Sequence, residues 1–286
     1  MKRKSKAILQ SKEKKLQRAN GTLDISFFKN EISSLHYTTP LRAFSNDDGN
    51  YDIVAAAIVN TSGGVVSGDT HKVNITVNNN CKVMIFSQSA EKIYKSLNNN
   101  EANITNVVKV GENSWLEWLP QETILFENSR LKRNLKIYLS KNSESLVGEI
   151  VVLGRLAKGE FTNNVFFKDS ISIYKNSKIQ WLDIVLLNDE LNNARKSITR
   201  LSGANCFFTI VLSSENVEKY EQIIYKFIKY NILDATISLT IIHDNLVIRA
   251  LSKEPLLLRK IFAKIWIFIR SDIKKLPPSM PKLWWV

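Results

Sequence analysis

The stretch His71-Lys72-Val73-Asn74-Ile75-Thr76-Val77-Asn78-Asn79-Asn80-Cys81-Lys82-Val83-Met84-Ile85-Phe86 decides the fold class. Val73, Ile75 and Val77 occupy alternate positions, so an extended chain puts them on one face, with His71, Asn74 and Thr76 around or opposite them. Asn78-Asn79-Asn80 is turn chemistry, because Asn tolerates left-handed backbone and satisfies neighbouring amides. Lys82 to Phe86 then reads as the returning strand. Outward from this unit the pattern recurs at Val107–Val110, Trp115–Leu119, Thr123–Phe126, Leu131–Leu139, Leu146–Leu153, Ile171–Tyr174 and Ile179–Leu187. Between these runs lie Gly111-Glu112-Asn113, Glu127-Asn128-Ser129, Lys141-Asn142-Ser143 and Lys175-Asn176-Ser177. Short runs at even spacing predict a mainly β fold rather than βαβ units.

Two stretches have helical period, so about two helices are expected in the C-terminal third. Val217, Tyr220, Ile223, Ile224, Phe227 and Ile228 share one face behind a candidate N-cap at Ser214. Leu257, Leu258, Ile261, Phe262, Ile265, Trp266 and Ile269 share another. A hairpin about Asp244-Asn245 lies between them. No internal repeat or linker divides the chain. The expectation is a basic extension over residues 1–20 and one domain over residues 21–286.

The 286 residues carry a formal charge of +13, which raises nucleic acid or an anionic membrane as partners. Much of the excess sits in the N-terminal arm from Lys2 to Arg18, and Lys and Asn are abundant throughout, so a solvated surface accounts for the charge as well. Cys81 and Cys206 stand in separate apolar runs, without the paired spacing of a zinc site. No apolar core follows the basic N-terminus, and the apolar run 261–269 is short and broken by Lys264. A cytoplasmic protein is expected.

The segment from Thr61 to Thr70 has glycines at Gly63 and Gly68 with the spacing of a phosphate-binding loop. Asp69 stands where that loop needs its lysine, and a strand pattern follows instead of a helix, so nucleotide binding fails. No nucleophile elbow, metalloprotease helix or Cys/His pairing is present, and the histidines are His36, His71 and His243. More informative are the acids inside apolar strands, Glu149 in Leu146–Leu153 and Asp183 in Trp181–Leu187. A buried carboxylate is either paired, here with Arg155 or Lys158 nearby, or faces a hydrated passage that tolerates a divalent cation. Spacing leaves both open.

Several ordered segments resemble urease accessory proteins of the UreD/UreH family. These are Asn60-Thr61-Ser62-Gly63-Gly64-Val65-Val66-Ser67-Gly68-Asp69, then Ser87 to Ser96, then Leu116-Glu117-Trp118-Leu119-Pro120-Gln121-Glu122-Thr123-Ile124-Leu125-Phe126. Leu153-Gly154-Arg155 with Gly159-Glu160 follows, and Arg249-Ala250-Leu251, Arg270 and Pro281-Lys282-Leu283-Trp284 complete the set. Lys282 stands where the family usually has Arg, and Ser67 where it usually has Gly.

The resemblance implies a two-layer, β-helix-like arrangement of many strands with a pair of helices and no catalysis. It implies a hetero-oligomer with UreF, UreG and the urease structural subunits, with no nucleic acid and no membrane. It also implies no tightly bound cofactor, only transient Ni²⁺ moving through an internal tunnel toward the urease active site. Asp69, Glu91, Glu149 and Asp183 are the residues expected along that path, with Arg155 and Glu160 bracing the local fold. The rival readings are a basic nucleic-acid-binding β protein, which needs aromatics interleaved with Lys and Arg on an exposed face, and an unrecognised hydrolase.

Overall fold

Four strands precede the stretch that reads most clearly in the sequence: β1 (Asn20–Phe28), β2 (Glu31–Tyr37), β3 (Leu41–Ser45) and β4 (Val54–Asn60). The computed structural model describes residues 17–45, 53–155, 158–160 and 162–285, so residues 1–16 of the basic extension lie outside it. β5 (Thr70–Val77), β6 (Lys82–Ser87) and β7 (Glu91–Ile93) follow, then β8 (Ala102–Val110), β9 (Trp115–Leu119) and β10 (Thr123–Leu125). β11 (Ser129–Leu139) and β12 (Glu144–Leu153) make a further coil. β13 (Asn164–Lys175) and β14 (Lys178–Glu190) form a hairpin that leads into the short α1 (Leu191–Lys196).

The returning strand expected after Asn80 does not return. β5 lies in a seven-stranded sheet ordered β14-β13-β11-β8-β5-β1-β2, whereas β6 lies in a ten-stranded sheet. Each four-residue corner carries the chain from one sheet to the other, and the third residue of each is a left-handed Asn: Asn80 (φ 58°), Asn113 (φ 53°) and Asn142 (φ 55°). Asn reaches this region at far less cost than a branched residue. Successive corners stack through Asn80 N–H to the Glu112 carbonyl (2.9 Å) and Asn113 N–H to the Lys141 carbonyl (3.2 Å). The abundant Asn therefore has a structural use. It also marks a repeat that the sequence does not show, because only the corners and the inward positions recur.

Stacked coils make the pairing parallel where a meander would be antiparallel. β5, β8, β11 and β13 pair in parallel in the first sheet, as do β4, β6, β9 and β12 in the second. The ten-stranded sheet is completed by β15 (Cys206–Ser213), β16 (Thr236–Ile242) and β17 (Asn245–Ser252), in the order β16-β17-β15-β12-β9-β6-β4-β3, with β10 beside β12 and β7 beside β10. The helices are α2 (Val217–Asn231) and α3 (Pro255–Phe268), and α3 runs on into a π-helical turn, Ile269–Ile273. Ser214 is not the cap of α2: Asn216 holds that position, and the Ser214 hydroxyl donates to Glu144 instead.

Three apolar clusters hold the layers together. One lies between the ten-stranded sheet and the helices, and the other two lie between the sheets. Gly148 lets α3 sit down on the sheet, because a Cβ there would stand 2.3 Å from Phe262 Cζ. Among the described residues no helix is long and apolar enough to cross a membrane.

Candidate functional site

The two inter-sheet clusters do not merge. On each strand between them, the inward position at their boundary is polar. On β11, Leu131 belongs to one cluster and Leu135 to the other, with Arg133 between. Asp169 stands likewise between Phe167 and Ile171 on β13, and Glu149 between Val147 and Val151 on β12. Asn106 and His71 continue the layer on β8 and β5, and Asp183 on β14. Register fixes the alignment: His71, Ile104, Arg133, Asp169 and Val185 form one cross-sheet row, and Asn106, Leu135, Ile171 and Asp183 the next. A polar seam thus crosses the sandwich.

Arg133 sits at its centre and is 6% exposed. Its Nε and Nη2 donate to the two oxygens of Asp169 at 2.9 and 2.6 Å, the bidentate fork that suits guanidinium. Nη1 donates to Thr123 Oγ1 at 2.8 Å and also lies 2.7 Å from Glu149 Oε2. The latter contact is ionic rather than a directed hydrogen bond, so Glu149 Oε2 keeps unused accepting capacity. Trp118 Nε1 donates to the other oxygen, Oε1, at 3.0 Å. One guanidinium thus faces two carboxylates. Burial pushes the Glu149 carboxyl up to about 7 against the pull of Arg133, and Asp169 adds to the rise.

Glu91 and Glu149 line one cavity of about 90 Å³, together with His71, Asn106, Gln121, Thr123 and Arg133. That volume holds several water molecules. The Glu91 carboxyl is likewise pushed up to about 7 by burial, opposed by its hydrogen bond from Asn60 Nδ2 (3.0 Å). His71 is 2% exposed, its Nε2 meets no hydrogen-bond partner, and burial lowers its basicity. The cavity wall thus carries one imidazole nitrogen without a hydrogen-bond partner and one carboxylate oxygen whose contact is the Arg133 guanidinium.

The other two expected residues are placed differently. Asp69 accepts from Ala19 N–H (2.8 Å) and Val66 N–H (2.9 Å) and so closes the glycine-rich turn, where Gly63 (φ 74°) and Gly68 (φ 87°) need left-handed backbone. It reaches the cavity through its field, which raises both His71 and Glu91. Asp183 lies at the far end of the seam, paired with Arg249 at 2.8 Å, and burial pushes its carboxyl up. Arg155 and Lys158 pair with neither acid in the described structure; Arg155 instead binds Glu160, and Arg133 and Arg249 take the expected role. Sequence reasoning missed Arg133, Asp169, His71 and Asn106. The available signal was a polar residue interrupting the inward alternation at the same level on neighbouring strands.

A second buried acid behaves in the opposite way. Glu117 is fully buried under α3 and accepts from Trp115 Nε1 (3.0 Å), Trp266 Nε1 (3.0 Å) and Arg270 Nη1 (2.6 Å). Glu117 lines neither the Glu149 cavity nor the grooves beside Tyr138, Phe207 and Tyr225. On the outer face of the seven-stranded sheet, Arg130 and Lys132 cover the Phe166 ring at 4.7 and 5.6 Å, and Tyr138 stacks on Tyr174. Aromatics therefore do mix with cations on a solvent face, the feature that the nucleic-acid reading needs. Among the described residues no group of three or more His, Cys, Asp or Glu is positioned to hold a metal ion.

Comparison with known proteins gives a consistent result. Residues 19–285 match the family described as UreD urease accessory protein. A urease accessory protein UreD from Magnetococcus marinus (strain MC-1) is 28% identical over 288 residues, which is 98% of this chain and 99% of the relative. A protein of the same name from Chelativorans sp. (strain BNC1) is 30% identical over 229 residues, covering 80% of this chain and 79% of that one.

Proposed function

This chain belongs to the UreD family of urease accessory proteins, and we propose that it serves urease maturation as a scaffold without catalytic chemistry of its own, through whose inter-sheet seam Ni²⁺ moves as cargo. Membership in the family supports the maturation role. The observation that favours conduction is the cavity lined by Glu91, Glu149 and His71, where His71 Nε2 has no hydrogen-bond partner and Glu149 Oε2 is held by the Arg133 guanidinium.

The chemistry suits transit rather than residence. Hard carboxylate oxygens and water hold a divalent cation loosely, and a single imidazole adds only one softer ligand. Glu91 and Glu149, both near 7, carry negative charge when a cation is present and take up protons when it has gone. Arg133 supplies the charge balance of the empty seam. A cation reaching Glu149 displaces that guanidinium, which Asp169 retains through its fork. Asp69 and Asp183 set the field at the two ends. The partners expected for this role are UreF, UreG and the urease structural subunits, in a cytoplasmic hetero-oligomer.

The test is the nickel content of urease purified from cells that express the enzyme and every partner, with and without this chain. Apo-urease accumulating only in its absence supports the reading. Full nickel loading without it contradicts the maturation role. The nucleic-acid alternative predicts binding of duplex or single-stranded oligonucleotides that weakens steeply with salt.

A further inference from the structure

The ten-stranded sheet is broken at the level of the polar seam. β6 ends at Ser87 and β7 starts at Glu91, while β9 ends at Leu119 and β10 starts at Thr123. The two interruptions lie side by side, because Phe86 pairs with Leu119 before them and Glu91 with Thr123 after them. β12 runs past without a break, Val147 pairing with Trp118 and Val151 with Thr123, so Glu149 stands at the flank of the gap. Residues 88–90 and 120–122 belong to no strand. Side chains, rather than a continuous ladder, must close the sheet here.

Gln121 does so. It lines the cavity beside Ser87, Pro120 and Glu149 and is 3% exposed. Its backbone N–H donates to Ser87 Oγ (2.7 Å) and its Nε2 to the Gln88 carbonyl (2.9 Å), which ties one interruption to the other. Nε2 also donates to the Leu283 carbonyl (3.0 Å), and Oε1 accepts from Arg259 Nη2 (3.3 Å). These last two contacts come from the helix side, where Arg259 belongs to α3 and Leu283 to the C-terminal turn Lys282–Trp285. Trp284 pins that turn: it is fully buried, its Nε1 donates to the Pro120 carbonyl (3.4 Å), and the Arg259 guanidinium lies 4.5 Å from its ring. The neighbours of this closure along the chain, Gln88, Ser89 and Trp285, are exposed.

We infer that this gap is a mouth of the seam, with Gln121 as its gate and the C-terminal turn as the latch that keeps the gate shut. Swinging the Gln121 side chain away from Gln88 and Leu283 joins the cavity at Glu91 and Glu149 to the helix side of the sheet. Displacing the turn withdraws the Leu283 carbonyl and takes the Trp284 ring from Arg259, so two supports of the gate weaken together. The gate is held by side-chain hydrogen bonds and one ring contact, which open locally without unfolding the strands around them. The inference deepens the proposed passage by placing one of its mouths and rests on that reading for its use. Its test involves no nickel, so the two fail separately.

The test uses the full chain carrying Val73→Cys, a substitution in the cavity wall, and measures how fast a small methanethiosulfonate modifies position 73. Cys81 and Cys206, both fully buried, report unfolding in the same mass spectra. Gln121→Ala removes the gate. Arg259→Ala removes a support that does not itself line the cavity. Each is expected to speed modification at position 73 by about tenfold or more with Cys81 and Cys206 still protected, because each loses contacts that oppose local opening. Trp284→Phe, which keeps a buried ring but loses the bond to Pro120, is expected to give a smaller rise. Unchanged modification in Gln121→Ala overturns the proposal, because the cavity then opens elsewhere. A rise that neither Arg259→Ala nor Trp284→Phe shares overturns it too, because the turn is then no latch. Where Gln121→Ala exposes Cys81 as well, the other two variants decide, and no rise in either overturns the gate.

Discussion

Glu117 and Glu149 stand on neighbouring strands, both almost wholly buried, both hydrogen-bonded to a tryptophan and both within reach of an arginine. They face opposite sides of the ten-stranded sheet, and there the likeness ends. On the helix side, Glu117 receives three donors and the surrounding packing is closed. On the inter-sheet side, Glu149 shares its arginine with Asp169, leaves one oxygen without a directed hydrogen bond and borders a wettable cavity. The difference teaches that burial alone does not identify a functional carboxylate. What separates the two is whether the charge is fully satisfied where it stands.

The contrast breaks first if Glu117→Gln is harmless. That substitution strands Arg270, itself 1% exposed, without a carboxylate. Removing one partner of a buried pair typically costs about 3–5 kcal/mol, and urea unfolding measures it. Gly148→Ala, on the same side of the sheet, drives a methyl group into Phe262 and Trp266. The expected loss is about 1–3 kcal/mol, the usual consequence of overpacking.

Glu149→Gln has the opposite sign. A carboxyl whose ordinary value of 4.5 rises to about 7 on folding binds its proton more tightly in the native state. Its contribution is fully present below about 4.5 and lost as the pH climbs through about 7. The wild-type chain therefore loses stability across that window, and Glu91 adds a loss of the same sign. Glu149→Gln leaves Arg133 paired with Asp169, so it is expected to gain on the order of 1 kcal/mol at pH 8 and nothing at pH 4.5. Thermal melts at the two pH values decide it. The smallest effect belongs to Arg249→Ala, because the Asp183–Arg249 pair is partly solvated and worth under about 1 kcal/mol.

Much of the strand layout was legible, because alternation at Val73, Ile75 and Val77 is a local property of an extended chain. The coil topology was not. Asn78-Asn79-Asn80 has the same local chemistry whether the next strand pairs beside the last or crosses to another sheet, and only long-range parallel partners decide it. For the site, Glu149 and Asp183 were visible as acids in apolar runs, and the structure puts Glu91 and Glu149 on one cavity. Arg133 was overlooked: alternation puts it on the face of Leu131 and Leu135, but beside Lys132 and Asn134 it looks like one more solvated residue until Asp169 and Glu149 on neighbouring strands show a polar level. The role of Glu117 was not legible either, because Arg270, which satisfies it, stands 153 residues away.

The most direct test of the seam is the nickel content of urease matured in cells whose only copy of this chain carries Glu91→Gln and Glu149→Gln together, compared with wild type. Co-purification of the partners confirms that the complex still assembles. Conduction through the cavity predicts assembled complexes and urease depleted of nickel. Assembled complexes with fully loaded urease would contradict it and leave the seam a purely structural feature.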